Sequence, residues 1–301
     1  MGALRDASVV AAFDLQSALR SRKALLLLVL YLAGATAASG AFVTLLRSIE
    51  RTMAETLQVA QTDRPGTMTG SIMESEQLLD VITELVGDGA LAAELVRTPP
   101  LALFYGWVAL TFVPVLVILT SSDAIAADVD SGASRFALVR TSRGAWAVGK
   151  LLGQLALMAT GIAAGALGSW LVGAFALARF DHLATAVWML RLGGRACVLG
   201  FAWLGMALGI SQLTRSANKA RAFGLIALVL VGVTRQILSI EPIHEKAPAL
   251  IDSVAVLFPG THLLDLWRPE LAERLPATLI LLAIGGTAFM LGHAVFLRRD
   301  G

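Results

Sequence analysis

Six runs of about twenty apolar residues, each flanked by charge, leave this chain few ways to fold. A helix of roughly 20 mostly apolar residues matches the ~30 Å hydrocarbon thickness of a bilayer. Hydrocarbon also forces the backbone to satisfy its own hydrogen bonds, which favours helices. The runs fall at about 24–46, 101–120, 151–178, 196–213, 223–240 and 276–297 of the 301 residues. The first follows Arg20, Arg22 and Lys23 and closes at Arg47. It is longer than a secretory h-region of about 7–15 residues and lacks an obvious small-residue cleavage pattern, so it reads as a retained span. Composition agrees, with 56% hydrophobic and only 15% charged residues, where a soluble domain carries about 25% charged. The expected fold is an all-α integral membrane protein with six transmembrane helices forming a single domain, residues 1–301.

Charge sets the expected orientation. With six spans both ends of the chain fall on one side. The segments on that side (1–23, 121–150, 214–222 and 298–301) hold 13 of the 24 Lys and Arg but only 6 of the 22 acids. Cationic loops resist translocation, so this side is expected to be the cytoplasm. Opposite lies a segment, 47–100, that contains nine acids. Ile49, Met53 and Leu57, and then Leu78, Ile82, Leu85 and Val86, recur at helical spacing on its two flanks. A helical pair, or an extension of the first two spans into the periplasm, is expected there. The stretch 179–195 reads as a short mixed loop. Residues 241–275 are broken by proline yet include the apolar run LIDSVAVLFPGTHLLDLW, which suits short outer helices re-entering the membrane face.

Several kinds of chemistry find no support. There is no GxxxxGK[ST] loop to cradle ATP phosphates, and His182, His244, His262 and His293 lie far apart without metal-ligand spacing. His293 reads as a packed or interfacial residue. Cys197, the single cysteine, reads as core. Met53, Met68 and Met73 are irregularly spaced and read as packing. Charges within the apolar runs, the mark of an ion pathway, are almost absent; Arg235 falls near an outer end, where it can snorkel. A net charge of +2 gives no nucleic-acid signal. No cofactor or metal site is expected in the chain. Gly161 and Gly165, and Gly205 and Gly209, form GxxxG pairs that let helix backbones approach, most simply within one subunit.

The richest stretch is Ser121 to Gly153, SSDAIAADVDSGASRFALVRTSRGAWAVGKLLG. It opens on three acids, passes Gly132, and carries Arg135, Arg140, Arg143 and Lys150, with Phe136, Leu138, Val139 and Trp146 set among them. Such a surface suits docking to a protein or lying on anionic lipid, and composition does not separate the two.

This loop resembles that of ABC-2 type ABC transporter permeases. The similarity runs through Asp128, Gly132, Phe136, Leu138, Arg140, Thr141, Ser142, Arg143, Gly149 and Lys150, with two departures: Asp128 stands where glutamate is usual, and Ala133 where threonine is. The resemblance implies a type V permease subunit. It would have a cytoplasmic N-terminal elbow helix over Leu4–Lys23, a coupling helix in the loop, and re-entrant outer helices around Phe258–Gly260. It also implies a dimer, with a second copy or a homologous permease, and two separate ATPase subunits that bind the ATP and Mg. The implied docking and coupling residues are Asp128, Gly132, Arg135, Phe136, Leu138, Arg140, Arg143 and Lys150. A non-transporting alternative is a membrane anchor that signals ATPase state to a periplasmic partner through residues 47–100.

Overall fold

The computed structural model describes residues 2–57, 65–66, 76–238 and 248–298. Thr67, Met68, Met73, His244 and residues 239–247 lie outside them, as does the side chain of Arg235. All regular structure among the described residues is helical: α1 (Gly2–Arg20), α2 (Arg22–Leu57), α3 (Glu76–Val86), α4 (Gly89–Arg97), α5 (Pro100–Ser121), α6 (Ala126–Asp130), α7 (Ala133–Leu138), α8 (Arg143–Ala176), α9 (His182–Leu213), α10 (Ala217–Leu238), α11 (Pro248–Ala255) and α12 (Leu271–Arg298). Two short 3₁₀ turns, Pro259–His262 and Asp265–Trp267, precede α12.

Six of these helices are long and apolar enough to cross a bilayer: α2, α5 with its continuation to Asp130, α8, α9, α10 up to Thr234, and α12. They match the six expected runs, but several extend well past them. α9 begins at His182, so the expected loop at 179–195 is helical from that residue and only 177–181 connect it to α8. α8 begins at Arg143 and carries Lys150 inside it. A charge ends an apolar run without ending a helix. Local capping sets these starts instead: Ser142 accepts from Ala145 N–H, Asp181 from Ala184 N–H, and Asp88 from Ala90 and Leu91 N–H. Each side chain satisfies donors that have no partner within the helix.

Successive helices run up and down, so two ends can be distinguished. The α1 end gathers α1, the start of α2, the loop 121–143 and the end of α12, where Arg143 donates to the Leu297 carbonyl at 3.0 Å. The far end gathers α3, α4, the 3₁₀ turns and the α8–α9 turn. α5 and α9 are the central helices, while α2 and α10 keep most of their surface outside the chain. At the far end Trp267 is buried against Gly106 of α5, where a Cβ would come within 2.8 Å of the indole.

The two expected glycine pairs both work inside the chain. Gly161 and Gly165 of α8 seat Leu28 and Tyr31 of α2 at 3.0 and 2.7 Å from a notional Cβ. Gly205 and Gly209 of α9 face the backbone of α12, and any Cβ on Gly205 would run into the Gly285 carbonyl. Small residues are what let these backbones touch.

Candidate functional site

The loop Ser121–Arg143 has two unlike halves. In the first, α6 is tied down on every side. Ser211 Oγ of α9 accepts from the backbone N–H groups of Ile125 and Ala126 at 3.1 and 2.9 Å, satisfying two donors at the start of a helix. Asp130 accepts from Ala217 N–H at the start of α10, at 3.2 Å. Asp123, just before α6, receives Lys23 of α2 at 2.7 Å and Arg221 of α10 at 2.6 Å.

The centre of this half is Lys150. Its ammonium lies 2.5 Å from Asp14 Oδ1 of α1 and 2.7 Å from Asp128 Oδ2 of α6, and 5.9 Å from the Trp146 ring centroid. Asp14 also accepts from Gln154 at 2.8 Å, and Gln154 accepts from Ser121 at 3.0 Å. Lys150 and Asp14 are buried. Two carboxylates against one ammonium, with an amide and a hydroxyl completing the network, satisfy every charge that leaves water. α1, α5, α6 and α8 therefore meet at one ionic junction.

α1 reaches that junction because α8 has a glycine face there. A Cβ on Gly149 would stand 2.5 Å from Val10 Cβ, and one on Gly153 would stand 2.8 Å from Asp14 Cβ. Gly149 and Gly153 form a third GxxxG pair, which a spacing search over the apolar runs alone misses because it begins before position 151. α1 has no wide apolar stripe; its buried residues are Ala7 and Asp14. Its seat depends on small residues and one acid.

The second half of the loop, around α7, turns one face outward. Gly132 takes a left-handed φ of 77° with no side-chain cap on α7, a conformation that glycine adopts without a Cβ clash. Phe136 and Val139 are 81% and 85% exposed. Arg135 and Arg140 are exposed as well, while Leu138 packs against the core. Trp146, expected on this surface, is instead buried and stacks on Phe296 at 5.8 Å. Of the sequence-expected docking residues, then, Phe136, Arg135 and Arg140 present a surface. Asp128 and Lys150 hold the base beneath it, and Arg143 binds the end of α12.

The far end carries a charged pair that the apolar runs excluded. Arg195 of α9 bonds Glu94 of α4 at 3.3 Å and the Trp267 carbonyl at 3.4 Å. Its helix begins fourteen residues earlier than expected, so Arg195 lies within the helix rather than before it. His293, read as packed, is buried, with Nδ1 3.1 Å from Gln212 Oε1. Among the described residues no group of three or more His, Cys, Asp or Glu could hold a metal.

A chain whose described residues form only helices, six of them long and apolar enough to cross a bilayer, is a multi-pass membrane protein. The chain matches the ABC-2 family transporter protein model over residues 8–300, and it belongs to that family. No curated protein matches it in sequence. Membrane components of this family are permeases that work with an ABC ATPase.

Proposed function

We propose that this chain is the permease subunit of an ATP-driven ABC exporter in the bacterial inner membrane, with its α1 end in the cytoplasm. Two permease chains would pair, and one separate ATPase subunit would dock on α7 of each. ATP and Mg would bind in those partners, leaving this chain to move and not to hydrolyse. In this reading α1 is the elbow helix and α7 the coupling helix. The observation that carries it is the exposure of Phe136 on α7 and of Val139 just after it, in a loop whose preceding helix, α6, is tied to Lys150 through Asp128. Closure of the ATPase subunits would push on α7. The ionic junction would pass that push to α1, α5 and α8 as rigid bodies, a mode that needs no titrating group in the spans.

Phe136→Ala tests the docking. Truncating a desolvated hot-spot anchor costs about 2 kcal/mol or more, so with Phe136 as that anchor co-purification of a tagged ATPase subunit should weaken by roughly tenfold or more. Arg140→Glu should act in the same direction. Undiminished co-purification by both variants, with membrane insertion confirmed, removes α7 as the docking site and favours a lipid-facing loop. Orientation has its own test: cysteines at Ser131 and Asn218 should react with an impermeant thiol reagent only after the inner face is opened.

The second reading, a signalling subunit, draws on α3, where Val81 and Leu85 are exposed apolar residues beyond the bundle. A periplasmic protein that stimulates ATPase activity without solute movement would favour it.

A further inference from the structure

α2 and α5 do not close against each other along their whole length. Between Leu27 and Ala38 on one side, and Val108 and Leu119 on the other, they leave a groove of about 350 Å³. Gly34, Ala35 and Ala38 hollow the α2 wall, and every lining residue is apolar apart from Tyr31. The groove opens outward, since Leu30, Phe112 and Val115 along it are exposed. Each wall spans eleven residue steps, about 16 Å at 1.5 Å per residue. That is close to half of a ~30 Å hydrocarbon core, the depth of one leaflet.

The groove also has a charged mouth. Lys23 lies one turn before Leu27 on the same stripe of α2, and Arg20 and Arg22 flank it. Lys23 and Arg221 share the single carboxylate of Asp123, while Arg20 and Arg22 are exposed without a carboxylate partner among the described residues. The mouth therefore has cations in excess of acids.

We infer that this groove binds one anionic phospholipid from the leaflet at the α1 end, with an acyl chain between α2 and α5 and its headgroup at Arg20, Arg22 and Lys23. The length fits a single leaflet, and the excess cations complement an anionic headgroup. A second copy of the chain is a poorer occupant. Isologous contact along this face would set Arg20, Arg22 and Lys23 of the two copies against one another.

The test is native mass spectrometry of the full chain, with any co-purifying subunit, in detergent containing either dioleoyl phosphatidylglycerol or dioleoyl phosphatidylcholine. One phosphatidylglycerol per chain should be retained, roughly tenfold in preference to phosphatidylcholine. Gly34→Leu projects into open space, since no atom lies within 4 Å of its notional Cβ. It should abolish most of that retention without changing the melting temperature. The double variant Arg20→Gln, Arg22→Gln should bring the two lipids to parity while phosphatidylcholine still binds. Equal retention of both lipids by the native chain overturns the inference, as does undiminished phosphatidylglycerol on a folded Gly34→Leu variant. A disulfide formed between copies by Gly34→Cys would give the groove to a second chain and overturn it too.

Discussion

Two junctions in this molecule hold helices together by opposite means. At the seam between α9 and α12, Gly205, Gly209, Gly285 and Gly292 bring two backbones into contact. At the junction of α1, α6 and α8, a buried ammonium bridges two carboxylates. The glycine seam has one good register, because each contact depends on the absence of a Cβ. The ionic junction ties α6 to α8 through the long Lys150 side chain, with close backbone approach confined to α1 against Gly149 and Gly153. The first suits a rigid core and the second an element that must transmit movement.

The largest expected effect of a single change lies at the ionic junction. Lys150→Ala leaves buried Asp14 and its neighbour Asp128 without a cation, and breaking a buried pair costs about 3–5 kcal/mol. Melting can be followed through thiol labelling of Cys197, which is half-buried in α9. A melting temperature equal to that of the native chain would show that the junction is not a structural clamp. Replacing the group together (Asp14→Asn, Asp128→Asn, Lys150→Met) should recover most of the stability, since well-packed neutral side chains often substitute for buried ions.

Next comes the seam. Gly205→Val must displace the Gly285 carbonyl, and an overpacked core position typically loses about 1–3 kcal/mol. Gly286→Ala, one residue along α12, is the control. Its notional Cβ meets nothing within 4 Å, so it should be neutral or slightly stabilising. Equal losses from the two substitutions would dissolve the contrast between them.

The smallest of the three is Ser211→Ala. It leaves the Ile125 and Ala126 N–H groups without their acceptor, at a cost of about 1–2 kcal/mol for unsatisfied donors. It should loosen α6 without loosening the seam, visible as faster amide exchange confined to residues near 125–130.

The spans were legible from the sequence because hydrophobic length is a one-dimensional property. The ends of the helices were not. Lys150 and Arg195 look like borders when read along the chain. In the fold each is neutralised by an acid more than a hundred residues away in sequence, Asp14 and Glu94 respectively, and one sequence carries no mark of that pairing. α1 was legible only through family resemblance, since its contact face is small residues plus Asp14 and has no hydrophobic period. The motif that seats it, Gly149 and Gly153, stood in plain view but straddled an assumed border. Within the loop, exposure separated residues that composition had grouped: Phe136 lies outside and Trp146 in the core.

α2 has a mechanical consequence. It runs unbroken for 36 residues, about 54 Å at 1.5 Å per residue, far more than a bilayer needs. Its foot is gripped by Asp123 through Lys23, and near its tip Glu50 accepts from Gly66 N–H. Pro65 in turn accepts from Ala178 N–H at the α8–α9 turn. A rod held at both ends couples them: a tilt of about five degrees corresponds to a relative displacement of about 5 Å between foot and tip over that length. Small adjustments at the α1 end would therefore be read out at the far end as displacements wide enough to pull a side chain away from its neighbour.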